Sequence, residues 1–135
     1  RGYSVDFNDC CFIDVDFSGE YLEGFIFYNC YFKNCDFTNS TLNDSGIHKS
    51  IFEESNLMGL QISDSNIKDC KFKDNKMLYF NISNNNITNV VFDNLDMTKS
   101  NIDSIKFKNI EEVFKMPNEK IEDKEKVGFA DFFFI

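Results

Sequence analysis

A large apolar residue stands at every fifth position from Phe7 to Phe107, without a slip. The series runs Phe7, Phe12, Phe17, Leu22, Phe27, Phe32, Phe37, Leu42, Ile47, Phe52, Leu57, Ile62, Ile67, Phe72, Met77, Ile82, Ile87, Phe92, Met97, Ile102 and Phe107. Twenty-one consecutive hits constrain the fold more than any other feature of the chain. A period of five cannot keep one face of an α-helix, whose turn takes about 3.6 residues. It can mark a short extended side followed by a corner. Two residues before each apolar centre stand mostly small side chains, such as Cys10, Cys30, Cys35, Ser40, Ser45, Ser50, Ser55 and Ser65. These also fit an interior, because alternate residues of a strand share a face. Two residues after the centre, sixteen of twenty-one residues are Asp, Asn or Gly, the residues of tight turns. The positions flanking each centre are mainly polar and are predicted to face solvent.

The number of sides per turn follows from a lag of twenty. Phe12, Phe32, Phe52, Phe72 and Phe92 make an all-Phe column, and Leu22, Leu42, Ile62, Ile82 and Ile102 an all-aliphatic one. Like residues recur where parallel turns stack, so four pentapeptides are predicted to close each turn. The predicted fold class is all-β: a quadrilateral parallel β-helix, or solenoid, of about five coils over residues 1–109. Ten of the seventeen Phe lie on the series, so the aromatic bias serves this core.

The register ends after Asn109. Residues 110–135 are expected to cap the solenoid. A short helix over Ile110–Met116 stops at Pro117, the only proline, and a charged connector follows. The last stretch carries Val127, Phe129, Phe132, Phe133, Phe134 and Ile135. Such a tail is costly in water and is expected to dock on the last coil or to join two copies as a homodimer. The register begins almost at once after Arg1, which reads as a domain taken from a longer chain.

The motif of a small residue, Asp or Asn, then Leu, Ile or Phe recurs as Cys35-Asp36-Phe37, Ser55-Asn56-Leu57, Ser65-Asn66-Ile67 and Ser100-Asn101-Ile102. In this the chain resembles the pentapeptide-repeat proteins over residues 5–109. The resemblance implies a right-handed β-helix and leaves function open, because the family serves many roles. One subgroup mimics duplex DNA, occupies the DNA site of type II topoisomerases and dimerises through C-terminal segments. By that resemblance the contact residues would be Asp6, Asp14, Asp16, Glu20, Glu23 and Asp36. The lysines Lys68, Lys71, Lys73 and Lys76 run against it, since they would repel a DNA-binding groove.

No catalytic constellation is visible. His48 is the only histidine and sits at an outward position, where it reads as an incidental surface residue. No phosphate-binding glycine loop or calcium loop occurs, and the five cysteines form no Cys-x-x-Cys pair, so no cofactor or metal is expected. The thiols read as small core residues in a reduced, cytoplasmic setting; Cys10 and Cys30 could lie close enough to oxidise, but nothing requires it. Four Asn-x-Ser/Thr matches, at Asn39, Asn43, Asn81 and Asn86, arise from the repeat itself. No apolar run is long enough to span a membrane.

Charge is the least regular property. The net charge is −9, which disfavours direct binding to nucleic acid or anionic lipid and permits a basic protein partner. Residues 1–64 hold eleven acids and three bases, whereas residues 65–109 hold five acids and seven bases. Asp16, Asp36 and Asp96 share one column, with Asn56 and Lys76 between. The expected function is a non-enzymatic scaffold or protein-interaction module, with the acidic DNA mimic as the alternative.

Overall fold

The computed structural model describes residues 4–95, 99–103 and 106–108. These residues form a parallel β-solenoid. Residues 4–95 make four complete turns and part of a fifth. The capping helix, connector and apolar tail expected over 110–135 lie outside the described residues.

Four sides are distinct. The first carries β1 (Val5–Asn8), β4 (Phe25–Tyr28), β7 (Gly46–His48) and β14 (Lys106–Lys108). The second carries β2 (Cys11–Ile13), β5 (Tyr31–Lys33) and β8 (Ile51–Glu53). Two longer strands, β10 (Asn66–Lys73) and β12 (Asn86–Asp93), run round the corner and serve both. The fourth side carries β3 (Tyr21–Glu23), β6 (Thr41–Asn43), β9 (Gln61–Ser63), β11 (Asn81–Ser83) and β13 (Asn101–Asp103). The third side is narrower and consists of the single bridges Asp16↔Asp36, Asp36↔Asn56 and Asn56↔Lys76. It bends at once, because Glu20, Ser40, Leu60 and Phe80 each donate an N–H to the carbonyl three residues earlier.

Every pairing is parallel and shifted by twenty residues. Phe12 stands on Phe32, Phe32 on Phe52, Phe52 on Phe72 and Phe72 on Phe92. Their rings stack at 4.9, 4.3, 5.1 and 5.5 Å between centroids, within 14° of parallel. Neighbouring columns meet edge-on, as Phe32 does with Phe27 at 5.2 Å and with Phe37 at 5.7 Å. Offset stacks and edge-on contacts are the arrangements that the ring quadrupole favours. The all-Phe column therefore forms one continuous stack through the core. Phe32, Phe52, Phe72 and Phe92 are buried, and Phe12 in the first turn is half-buried.

The small residues before each centre do more than fill space. Ser50 Oγ accepts the N–H of Cys30 at 3.1 Å and donates to the carbonyl of His48 at 2.8 Å. Ser45, Ser55 and Ser65 repeat the pattern with Phe25, Cys35 and Ser45 as donors. Each corner thus satisfies a buried backbone N–H with a side chain one turn away. Where the column changes to Asn75 and Asn85, the amide takes over both roles. Asn75 Oδ1 accepts from Ser55 N at 2.9 Å, and its Nδ2 donates to Phe52 O at 3.0 Å. Among the described residues no buried side-chain polar atom lacks a partner.

Each residue two places after a centre, from Asp9 to Lys99, has a positive φ. Asp, Asn and Gly tolerate this left-handed conformation best. Lys49, Glu54, Tyr79 and Lys99 adopt it too, held by the turns on either side. Tyr79 is the largest of them, with φ 56° and 55% exposure. Replacing it with Asn removes a left-handed cost of about 1–2 kcal/mol and little packing. Tyr79→Asn is expected to raise the urea midpoint, equivalent to about 1 kcal/mol. An unchanged or lower midpoint would show that the ring contributes contacts that outweigh the strain.

Candidate acidic interaction surface

The solenoid distributes the six predicted contact acids round its first turns. Asp6 lies on the first side, in β1. Asp14 sits at the corner after β2. Asp16 and Asp36 occupy the third side, Glu20 the corner that follows it, and Glu23 the end of β3. They make a rim rather than one flat face. From Ser4 to Tyr31 the chain also holds Asp9 and has no lysine or arginine.

The acids differ in what they face. At the corners, an acid of one turn meets an Asn of the next. Asn29 Nδ2 donates to Asp9 Oδ1 at 2.7 Å, and Asn34 Nδ2 to Asp14 Oδ1 at 2.7 Å. The same pairing recurs with Asn89 on Asp69 at 3.0 Å, Asn94 on Asp74 at 2.7 Å and Asn84 on Asp64. Donor and acceptor alternate there, which suits stacked edges. Glu23 accepts from Asn43 Nδ2 at 3.2 Å and lies beside the exposed Tyr21.

The third side brings two acids together, as do the corner pairs Asp44/Asp64 and Glu54/Asp74. Asp16 stands directly over Asp36 in bridge register, with no cation between. Like charges directly opposite on neighbouring strands destabilise a sheet. Each carboxylate turns to its own backbone instead. Ser18 N donates to Asp16 Oδ1 at 2.8 Å, and Thr38 N donates to Asp36 Oδ1 at 2.9 Å. The Ser18 hydrogen bonds hold the Asp16 carboxyl below the usual aspartate range. The column continues to Asn56 and Lys76, so charge changes sign along it. A groove beside it is lined by Asn34, Asp36, Glu54, Asn56, Asp74 and Lys76.

The predicted basic cluster has a different character. Lys33, Glu53, Lys73 and Asp93 stand in register on the second side, alternating in sign. Opposite charges across a ladder are mildly stabilising, so Lys73 is matched within the frame, whereas Lys71 stands between Ile51 and Val91 and Lys68 between His48 and Thr88. Tyr31 Oη donates to Glu53 Oε2 at 2.6 Å, and that bond pushes its phenol up to about 12. Lys49 lies 5.4 Å from the Tyr28 ring centroid, a cation–π contact.

The remaining predicted chemistry-bearing residues take structural places. His48 is half-buried rather than incidental, because Gly46 beneath it leaves room for its ring. A Cβ on Gly46 would come 2.8 Å from His48 Nε2 and 3.2 Å from Ile26 Cδ1. Burial lowers the imidazole pKa, and Lys68 lowers it further. Cys30, Cys35 and Cys70 are buried, Cys10 is half-buried and Cys11 exposed; all five are free. Burial raises the thiols of Cys30, Cys35 and Cys70, the last to about 12, so they are weak nucleophiles. Among the described residues no group of His, Cys, Asp and Glu is arranged to hold a metal ion, and no helix is long and apolar enough to cross a membrane. The apolar tail proposed as a cap or dimer contact lies outside the described residues.

The buried Ser and Asn ladder was missed as a device in the sequence. Its signal was the replacement of Ser by Asn at 75 and 85, since both carry a donor and an acceptor.

The fold is shared with a solved structure of QnrB1, described as a plasmid-mediated fluoroquinolone resistance protein. A trypsin-treated variant superposes with a TM-score of 0.52 at 17% identity, covering 82% of this chain and 62% of that one. The chain therefore spans under two thirds of that protein's length. Full-length QnrB1 aligns at 14% identity with a TM-score of 0.33, covering 84% of each chain. At these identities the likeness concerns the fold. No curated protein matches the sequence. The family described as the pentapeptide repeat region matches residues 25–102. With more than half its length matched and every turn built from four pentapeptides, the chain belongs to the pentapeptide-repeat family.

Proposed function

We propose that this protein is a non-enzymatic scaffold whose acidic first two turns contact a basic protein partner. The observation that carries the reading is Asp16 stacked on Asp36 in a rim of carboxylates without lysine or arginine from Ser4 to Tyr31. Many other columns alternate Asp with Asn or Lys with Glu, while Asp44/Asp64 and Glu54/Asp74 are further acid pairs one turn apart. A like-charge pair inside a rim that holds no base suits a cationic partner, which would relieve the repulsion. A rigid frame adds specificity, since side chains held one turn apart lose little freedom on binding.

Zero-length carboxylate-to-amine cross-linking in host extract tests this. Partner lysines are expected to join Asp6, Asp14, Asp16, Glu20, Glu23 or Asp36. Cross-links confined to Lys68, Lys71, Lys73 and Lys76 would contradict it. The DNA-mimic alternative shares the acidic surface and adds a type II topoisomerase as partner. Micromolar protein that neither inhibits supercoiling by DNA gyrase nor protects it from a quinolone would end that alternative and leave the scaffold reading standing.

A further inference from the structure

We infer that the corner between the first and second sides is a docking groove for an acidic amphipathic helix of a partner protein. The helix presents an apolar, an acidic and an apolar residue at successive turns. The groove lies apart from the third-side carboxylates on which the proposed acidic contact rests.

Outward residues on the second side stand in register one turn apart as Tyr31, Ile51, Lys71 and Val91. Across the corner, Tyr28, His48 and Lys68 follow one another on the first side. A groove runs along the corner, lined by Lys49, Ile51, Asp69, Lys71, Asn89 and Val91. Ile51 is 39% exposed and Tyr28 40%, while Tyr31 and Val91 are half-buried. Apolar surface rimmed by charge in this way marks a contact site.

The charge of the groove selects an acidic occupant. Lys71 and Lys68 meet no carboxylate along their columns, since Lys71 stands between Ile51 and Val91 and Lys68 between His48 and Thr88. Lys49 lies over the Tyr28 ring. The one acid lining the groove, Asp69, accepts a hydrogen bond from Asn89 at 3.0 Å. In the neighbouring column Glu53 is held by Tyr31 and flanked by Lys33 and Lys73. The corner therefore presents cations on a chain whose net charge is −9. Nucleic acid fits less well. Phosphates running along the groove would pass Asp69, Glu53 and Asp93, and Ile51 and Val91 offer a base edge no hydrogen bond.

The spacing selects the conformation. Neighbouring strands lie about 4.8 Å apart, so Lys71 and Val91 follow Ile51 along the solenoid axis at about 4.8 and about 9.6 Å. In an α-helix residues i, i+4 and i+7 share a face, one turn rising about 5.4 Å and seven residues about 10.5 Å. A helix laid along the axis thus sets apolar side chains on Ile51 and Val91 and a carboxylate on Lys71, the helix-in-groove mode of recognition. An extended strand does not, because residues sharing one of its faces advance in steps of about 6.6 Å.

The test uses the full chain and a synthetic helical peptide with Leu at i and i+7 and Glu at i+3 and i+4 in an alanine-rich host. A Lys-for-Glu peptide is the control. Binding is followed by calorimetry and by amide chemical shifts in labelled protein. The Glu peptide is expected to bind, with the shift changes centred on Lys49, Ile51, Lys71 and Val91. The combined variant Ile51→Ser, Lys71→Gln is expected to keep its fold and to bind at least about tenfold more weakly. Lys76→Gln on the third side and the rim variant Asp16→Asn, Glu23→Gln are expected to bind as the wild type does. No binding, equal binding of the Lys peptide, or undiminished binding by the combined variant would overturn the inference. Weaker binding by the rim variant alone would move the helix to the acidic surface and overturn it too. A single-stranded oligonucleotide that shifts the same amides at lower concentration would assign the corner to nucleic acid. Concentration-dependent shifts there in the protein alone would assign it to a second copy. Either result would overturn the helix groove, while the carboxylate cross-linking reports separately on the acidic contact.

Discussion

Phe52→Ala is expected to destabilise the protein by about 3–5 kcal/mol, as a fully buried truncation in the middle of the stack. Phe52 is 1% exposed and lies between Phe32 at 4.3 Å and Phe72 at 5.1 Å, with Phe37 edge-on at 5.7 Å. Its removal leaves a cavity in the middle of a continuous column. The strands above and below cannot close it, because their spacing is fixed at about 4.8 Å by the ladder. Phe12→Ala should cost roughly half as much, since its ring is only half-buried in the first described turn. Urea unfolding of both variants checks the gradient. Equal losses at the two positions would mean that the first turn is covered as fully as the third.

Asn75→Ala is expected to cost about 2–4 kcal/mol, although it removes few atoms. The amide is buried and makes two bonds to backbone, from Ser55 N and to Phe52 O. Alanine leaves the buried Ser55 N–H without its partner and Phe52 O without its side-chain donor, and an unsatisfied buried group costs about 1–3 kcal/mol. Asn75→Ser should recover part of the loss. Ser55 occupies the same column one turn earlier and accepts the equivalent N–H of Cys35, while its hydroxyl donates to Glu53 O, two residues back, rather than to a carbonyl of the turn before. If alanine at 75 unfolds within about 0.5 kcal/mol of the wild type, the polar ladder contributes nothing net. Serine no better than alanine would point to packing rather than hydrogen bonding as the role of Asn75.

These two positions show what a sequence of this kind discloses. The Phe column, the four sides and the lag of twenty were all legible, because each depends on periodicity, which a parallel stack imposes on every turn alike. The hydrogen-bond ladder was less legible. Ser is small as well as polar, and smallness alone accounts for its place. Only the change to Asn at 75 and 85 distinguishes a bonding role from a spatial one. Left-handed corners were suggested by the Asp, Asn and Gly bias, yet Tyr79 and Glu54 adopt the same conformation. There the neighbouring turns override local preference. His48 looked like a surface residue because sequence position cannot show that Gly46 opens a seat for it.

The acidic surface was legible in composition and not in shape. Six acids could be named, but their arrangement as a rim depends on where each corner falls. Asp14 and Asp16 are two residues apart, yet one pairs with Asn34 across a corner while the other stacks on Asp36 along a side. The difference between a matched and an unmatched carboxylate arises only in three dimensions. It also separates Lys73, which stands between Glu53 and Asp93, from Lys71, which stands between Ile51 and Val91.

The placement of every outward acid follows from one property, that four pentapeptides close each turn. Through-hydrogen-bond scalar couplings in labelled protein measure it directly. The structure predicts coupling from Ile51 N to the Cys30 carbonyl, from Asn56 N to Cys35 and from Gln61 N to Ser40, each across twenty-one residues. Couplings displaced by one pentapeptide in either direction, to a three- or five-sided turn, would contradict the account and rearrange the acidic rim with it.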